Sequence, residues 1–371
     1  VVLTSPFVLN AFLLLHLAKL ADHFQLTVCI NTSESPVSQQ LDSRIELIHC
    51  PIVRPVKPWA DVRALAWLIR LFSERRFDAV QSMTPKAGLL AMLAASVCRV
   101  PMRTHIFTGQ VWANRAGLSR YVLRCMDKLL VACTTHVLAD SHSQATFLDA
   151  EGVCDEWRIE VFGAGSISGV DLKRFCSDSE RRNRIRIELD VPVDAPVFLF
   201  LGRLHQEKGV IDLSIAFSRL ALEHSGVHML WVGPDEGHLA SLLGAVVRER
   251  TRVVGLTPRP EDYLDASDVL ILPSYREGFG TVVIEAAAMG RPTIGTNIYG
   301  LTDAIVDGKT GLLVPVGDVD ALTDAMRRML DRKLIERLGA GARERAQLDF
   351  GAEVVTEHWV RFYLKNLKPA K

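Results

Sequence analysis

Arg203 and Lys208 sit five residues apart in a stretch, residues 200–209, that reads FLGRLHQEKG. An apolar β-type run precedes them and a helical pattern follows, so both cations fall on a loop at a strand's carboxyl end, beside a helix N-terminus. Two fixed positive charges there make an anion site, and a diphosphate leaving group needs that compensation as its charge grows. An isolated Arg and Lys read more simply as a solvated basic loop. The flanking Gly202 and Gly209, which let a backbone turn tightly at a strand end, favour the anion site.

Residues 273–286, PSYREGFGTVVIEA, form the sharpest pattern. They follow the apolar run Val269–Leu272 and lead into a helix from about Thr281. Glu277 lies at the loop tip, and Gly278, Phe279 and Gly280 bring free backbone amides to the helix start. A carboxylate in that place accepts hydrogen bonds from the vicinal hydroxyls of a sugar or a ribose. Glu285 lies among Val282, Val283, Ile284, Ala286, Ala287 and Ala288, so its helix is largely buried and its carboxylate needs a partner. Residues 254–257 end another strand, where the backbone of Val254 is placed to read a base edge. The turn GPDEG at 233–237 serves equally as ligand contact or as a plain turn.

Other patterns carry less. GAGSISG at 163–169 resembles a dinucleotide fingerprint, but no long helix follows it. Asp318 and Asp320 have metal-motif spacing, yet they precede a helix and read as its cap, so no metal site is expected. DSHSQ at 140–144 reads as a capped helix start.

These residues need a scaffold, and the chain supplies one twice. Short β-branched runs at Val1–Thr4, Leu26–Ile30, Ile45–His49, Ala79–Gln81, Arg103–Phe107 and Val137–Ala139 alternate with helical stretches at Ala11–His23, Asp61–Arg75, Lys86–Cys98 and Arg120–Cys133. The alternation pauses at Gly163–Phe175 and restarts at Val197. Further strands are expected at His228–Val232, Arg252–Val254, Val269–Leu272, Thr293–Gly295 and Gly311–Val314. This predicts an α/β chain of two doubly wound, Rossmann-like domains, 1–170 and 171–353, with ligands bound at the strands' carboxyl ends. Residues 354–371 are expected to form an amphipathic helix, with Trp359, Phe362 and Tyr363, that crosses back to the first domain.

Bulk composition agrees. Of 371 residues, 49% are hydrophobic and 23% charged, which suits globular domains with ordinary cores. Lys and Arg together number 43, as do Asp and Glu, which argues against nucleic acid as a partner. Seven cysteines are scattered without a C-x-x-C pair, as expected of reduced thiols in a cytoplasmic protein. The apolar start is broken by Asn10, His16 and Lys19, and no run reaches the roughly 18 residues that a membrane span needs.

With these residues in hand, the chain resembles the retaining glycosyltransferases of family four, which have the GT-B fold with two domains facing across a cleft. The resemblance rests on Arg203 with Lys208, on Glu277 and Glu285 after Pro273 and Ser274, on Gly169, Val170, Asp171 and Phe175 as a hinge motif, and on TGLLVP at 310–315. It implies that Arg203 and Lys208 hold the diphosphate of a UDP-sugar, that Glu277 binds the sugar, and that Glu285 binds the ribose. Gly202, Val254, Gly278, Phe279, Gly280 and Thr281 complete the implied donor site. It also implies no cofactor and no metal, the two cations replacing a divalent ion.

The first half departs from the family pattern. TSPFVLN stands at 4–10 in place of a glycine pair, and Thr108 stands where a histidine is usual, with His105 three residues earlier. TGQVWA at 108–113 resembles members that assemble bacterial surface polysaccharides, whose acceptor is a glycan or a polyprenyl-diphosphate-linked sugar. Asn10, Lys86, Thr108 and Gln110 are the acceptor-side candidates. Helix 59–75, with Leu and Ile on one face and Arg63, Arg70 and Arg75 on another, suggests membrane-surface contact, though an amphipathic helix packed on its sheet explains it more simply. A GT-B epimerase and a non-catalytic sugar-nucleotide binder are the alternatives.

Overall fold

The computed structural model describes residues 1–33, 35–239 and 244–367. The chain divides into two compact units, Val1–Gly169 with Ala352–Lys371, and Val170–Gly351.

The first unit is built on strands β1 (Val2–Leu3), β2 (Thr27–Ile30), β3 (Glu46–His49), β4 (Ala79–Met83), β5 (Met102–Phe107), β6 (His136–Ala139) and β7 (Ile159–Val161), in the order β3-β2-β1-β4-β5-β6-β7. Every pairing is parallel, because each strand is followed by a crossover that returns the chain to the same edge direction. The order reverses between β1 and β4, where the Thr4 and Thr84 hydroxyls hydrogen-bond at 2.7 Å. Thr84 holds φ at 82°, a rare conformation for a β-branched residue.

Two local features depart from the sequence expectation. In place of one helix over Ala11–His23, a turn at Pro6–Val8 leads through a π-helical segment, Leu9–Leu13, into Leu14–Leu20. Strand β7 has no counterpart in the expected set. The closing helix, Ala352–Asn366, buries Val355, Trp359, Phe362 and Tyr363 with Leu13, Leu17 and Phe162 of the same unit. The Trp359 indole N–H donates to the Ile167 carbonyl at 2.9 Å, and His16 hydrogen-bonds the Thr356 hydroxyl at 2.7 Å. Residues 163–169 thus anchor this helix.

The second unit has six parallel strands, β8 (Val197–Leu201), β9 (His228–Val232), β10 (Thr251–Val254), β11 (Val269–Leu272), β12 (Thr293–Thr296) and β13 (Gly311–Val314), ordered β10-β9-β8-β11-β12-β13. β8 reads VFLFL and β11 VLIL, continuous apolar runs buried on both faces by helices. Here the order reverses between β8 and β11. The loops leaving these two strands therefore open on the crevice where doubly wound sheets bind ligands.

Candidate functional site

The loop after β8 runs through a single 3-10 turn, Gln206–Lys208, and stops at Gly209, whose φ of 70° caps the turn and starts the helix Val210–Glu223. A Cβ on Gly209 would lie 2.0 Å from the Pro273 carbonyl oxygen, so only glycine lets the two loops touch. Further bonds tie them. The Tyr275 amide donates to the Glu207 carbonyl at 2.9 Å, Arg276 pairs with the Glu207 carboxylate at 3.1 Å, and the Tyr275 hydroxyl donates to Asp212 at 2.6 Å.

This knit brings two of the expected residues into contact. The Lys208 Nζ lies 2.5 Å from Glu277 Oε1, and Ser274 Oγ donates to the same oxygen at 2.8 Å. No described residue hydrogen-bonds Oε2, which stays available as an acceptor. Arg203, half-exposed, reaches Glu236 of the GPDEG turn at 2.8 Å. Phe279 is buried edge-on against Phe350, ring centroids 5.2 Å apart, and this fixes the loop that carries Gly278 and Gly280. Gly280, at φ 85°, caps the helix Thr281–Ala288, whose first amides lack helical acceptors.

Glu285 lies in the second turn of that helix. Burial pushes its pKa up to about 7, against the opposing pull of Arg174, with Glu261 adding repulsion. No described residue is recorded as hydrogen-bonding its carboxyl group. Val254 ends β10, but its carbonyl accepts the Gly233 amide at 2.9 Å. Asp318 caps the helix Val319–Arg328 through the Ala321 amide, and Asp320 pairs with Arg219.

In the first unit, Asn10 lies in the π-helical segment and braces residues 36–38, donating to the Pro36 carbonyl and accepting the Ser38 amide. Lys86 donates to the Val53 and Pro55 carbonyls at 2.8 and 2.6 Å and lies 2.5 Å from Asp61 as an ion pair, so it ties down the segment before the helix Pro58–Arg75. Thr108 is half-buried just beyond β5. Gln110 is buried, its side-chain oxygen accepting from Gln144 at 3.2 Å. His105 is a core histidine: Ser82 Oγ lies 2.8 Å from its Nδ1, and burial lowers its pKa to about 3. Sequence reasoning gave Ser274 and Glu236 no role of their own. Their only signal is proximity in sequence to Glu277 and to the turn after β9.

Two family models match the chain, one to each unit: "Glycosyl transferase 4-like domain" over residues 13–165 and "Glycosyl transferases group 1" over residues 195–332. Among similar proteins is the capsular polysaccharide biosynthesis glycosyltransferase CapM of Staphylococcus aureus, 28% identical over 351 residues, 93% of this chain and 92% of CapM. Another is the Escherichia coli UDP-Gal:alpha-D-GlcNAc-diphosphoundecaprenol alpha-1,3-galactosyltransferase, 24% identical over 84% of this chain and 81% of the enzyme. The Anabaena HepE structure in complex with UDP superposes with a TM-score of 0.77 over 98% of this chain and 99% of HepE at 16% identity, which fixes the fold as GT-B. The chain is an enzyme of the glycosyltransferase class and belongs to glycosyltransferase family four.

Proposed function

We propose that this glycosyltransferase moves a hexosyl or N-acetylhexosaminyl group from a UDP-sugar, with retention, onto a glycan or a polyprenyl-diphosphate-linked sugar during cell-surface polysaccharide assembly. The observation that carries the reading is the Lys208–Glu277 pair at the reversal of strand order, with Arg203 on the same loop as Lys208. CapM and the E. coli galactosyltransferase support it by their named roles, and HepE by its complexes with UDP and UDP-glucose.

In this reading Lys208 and Arg203 hold the diphosphate and supply the charge that a divalent ion supplies elsewhere. Glu277 accepts the donor sugar's hydroxyls through Oε2, and Glu285 accepts those of the ribose. The acceptor oxygen bonds to the anomeric carbon on the face from which the phosphate departs. The carbon–phosphate-oxygen bond breaks, the acceptor's proton passes to the leaving phosphate, and UDP is released. Cations already in place need no reorganisation as charge builds on that phosphate. The site of action is the cytoplasmic face of the membrane, where a polyprenyl-linked acceptor is accessible.

The test is UDP release from a panel of UDP-sugars with lipid-linked and free glycan acceptors, without added metal. Acceptor-dependent release that Lys208→Ala removes supports the reading. Turnover undiminished in Lys208→Ala and Glu277→Ala would remove the donor-site assignment.

A further inference from the structure

The helix Gly117–Cys133 turns an apolar stripe to solvent. Its inner side is ordinary: Leu130 and Val131 are buried, and Asp127 accepts the Trp112 indole N–H at 2.7 Å. On the outer side Leu118, Tyr121, Val122, Met126 and Leu129 recur at three- and four-residue spacing, with Leu118 77%, Tyr121 66% and Leu129 47% exposed. A helix packed on a sheet normally turns charge outward at those positions, and a contiguous apolar stripe of this kind marks a contact surface.

Charge indicates the partner. The helix has one acidic side chain, Asp127, and it faces inward, so no anion interrupts the stripe. Arg120, Arg124 and Lys128 line one flank at four-residue intervals. Glu151 pairs with Arg120 at 2.5 Å and lies 3.5 Å from Arg124. Lys128, and Arg115 just before the helix, have no ion-pair partner among the described residues. The helix Pro58–Arg75, one helix further along, adds exposed Trp59 and Val62 with Arg63 at its first turns. Both helices start at the strands' carboxyl ends, on either side of the helix Pro85–Val97, so these apolar turns share one end of the sheet.

We propose that this face docks on an anionic lipid surface, the apolar stripe entering the headgroup boundary and the basic flank lying on the phosphates. A second copy of the chain fits less well, since Glu151, the carboxylate beside the flank, is already engaged by Arg120 and Arg124. The inference rests on the proposed lipid-linked acceptor for its purpose. Residues 108–113, which carry Thr108 and Gln110, run on to this helix, and Asp127 holds their Trp112.

The experiment is co-sedimentation of the full chain with phosphatidylcholine vesicles with and without phosphatidylglycerol, for the wild type and Leu118→Glu/Tyr121→Glu. The wild type should bind only vesicles containing phosphatidylglycerol, and the double variant should lose on the order of tenfold or more in partition. Lys128→Ala should lose about fivefold. In Tyr121→Trp, indole fluorescence should shift to the blue on those vesicles. The UDP-induced thermal shift and transfer to a short soluble acceptor should persist in the double variant, so a failure of docking and a failure of the transferase reading are distinguishable. Equal binding by the wild type and the double variant, no binding by the wild type, or a wild-type dimer that the variant dissociates would each overturn the proposal.

Discussion

Lys208 and Glu277 lie 2.5 Å apart although 69 residues separate them in sequence, and their contact joins the loops after β8 and β11. Both are part-buried, and each is the other's counter-charge. Diphosphate oxygens would compete with Glu277 for the Lys208 ammonium. Glu277→Gln should therefore bind UDP at least as tightly as the wild type, yet lose on the order of 100-fold or more in kcat/KM for the UDP-sugar. Calorimetry of UDP binding beside initial-rate kinetics checks both halves. Weaker UDP binding with normal turnover would contradict the arrangement.

Among the described residues Arg203 has one recorded ion pair, to Glu236, and both side chains are half-exposed. Its removal should cost the fold no more than about 0.5 kcal/mol. UDP at about 100 times its dissociation constant should stabilise the wild type by roughly 2.7 kcal/mol, and the same concentration should stabilise Arg203→Ala by clearly less. Thermal unfolding with and without UDP separates the two effects.

Glu285 gives the site a pH signature. Its folded pKa, about 7, is raised above the ordinary 4.5 chiefly by burial. The stability it contributes is full below about pH 4.5 and is lost as pH rises through 7. Glu285→Gln should therefore be more stable than the wild type at pH 8 and show a flatter stability profile between pH 5 and 8. In the proposed reading ribose hydroxyls donate to the ionised carboxylate, so UDP affinity should rise with pH up to about 7 in the wild type and not in the variant. Denaturant midpoints and UDP titrations across that range are the measurements.

Gly209→Ala tests the knit between the loops. The new methyl group would meet the Pro273 carbonyl at 2.0 Å, with the backbone still at φ 70°. A cost of about 1–3 kcal/mol is expected, read from urea unfolding. Transfer activity should fall as well, since Lys208 is the residue immediately before it.

Much of this was legible in the sequence because buried parallel strands are continuous apolar runs. VFLFL and VLIL could hardly be anything else, and the charged loops that follow them fall at the carboxyl ends by necessity. β7 was hidden for the opposite reason: it is three residues long, with an exposed Glu160 in the middle. The π-helical segment at Leu9–Leu13 lies in a mostly apolar stretch with Asn10 inside it, and nothing in such a stretch marks where one extra residue enters a turn. Lys86 reads as available for a ligand because sequence does not reveal the carbonyls of Val53 and Pro55 that accept its hydrogen bonds. Ser274 shows in the sequence only as a neighbour of Glu277, since a buried serine has no periodicity to announce it.

The pairing of Val170 with Gly351, and the Val170 amide bond to the Phe350 carbonyl at 2.8 Å, place the two ends of the second unit side by side. In terms of chain surgery, that unit is an insert. Residues 170–351 form one uninterrupted polypeptide whose ends are already stitched together, so a single gene fragment encodes it whole. The first unit has no such fragment. A stop codon after Gly169 would discard the helix that fills its core around Trp359, and recovering it takes a splice of Gly169 to Ala352 across a short linker.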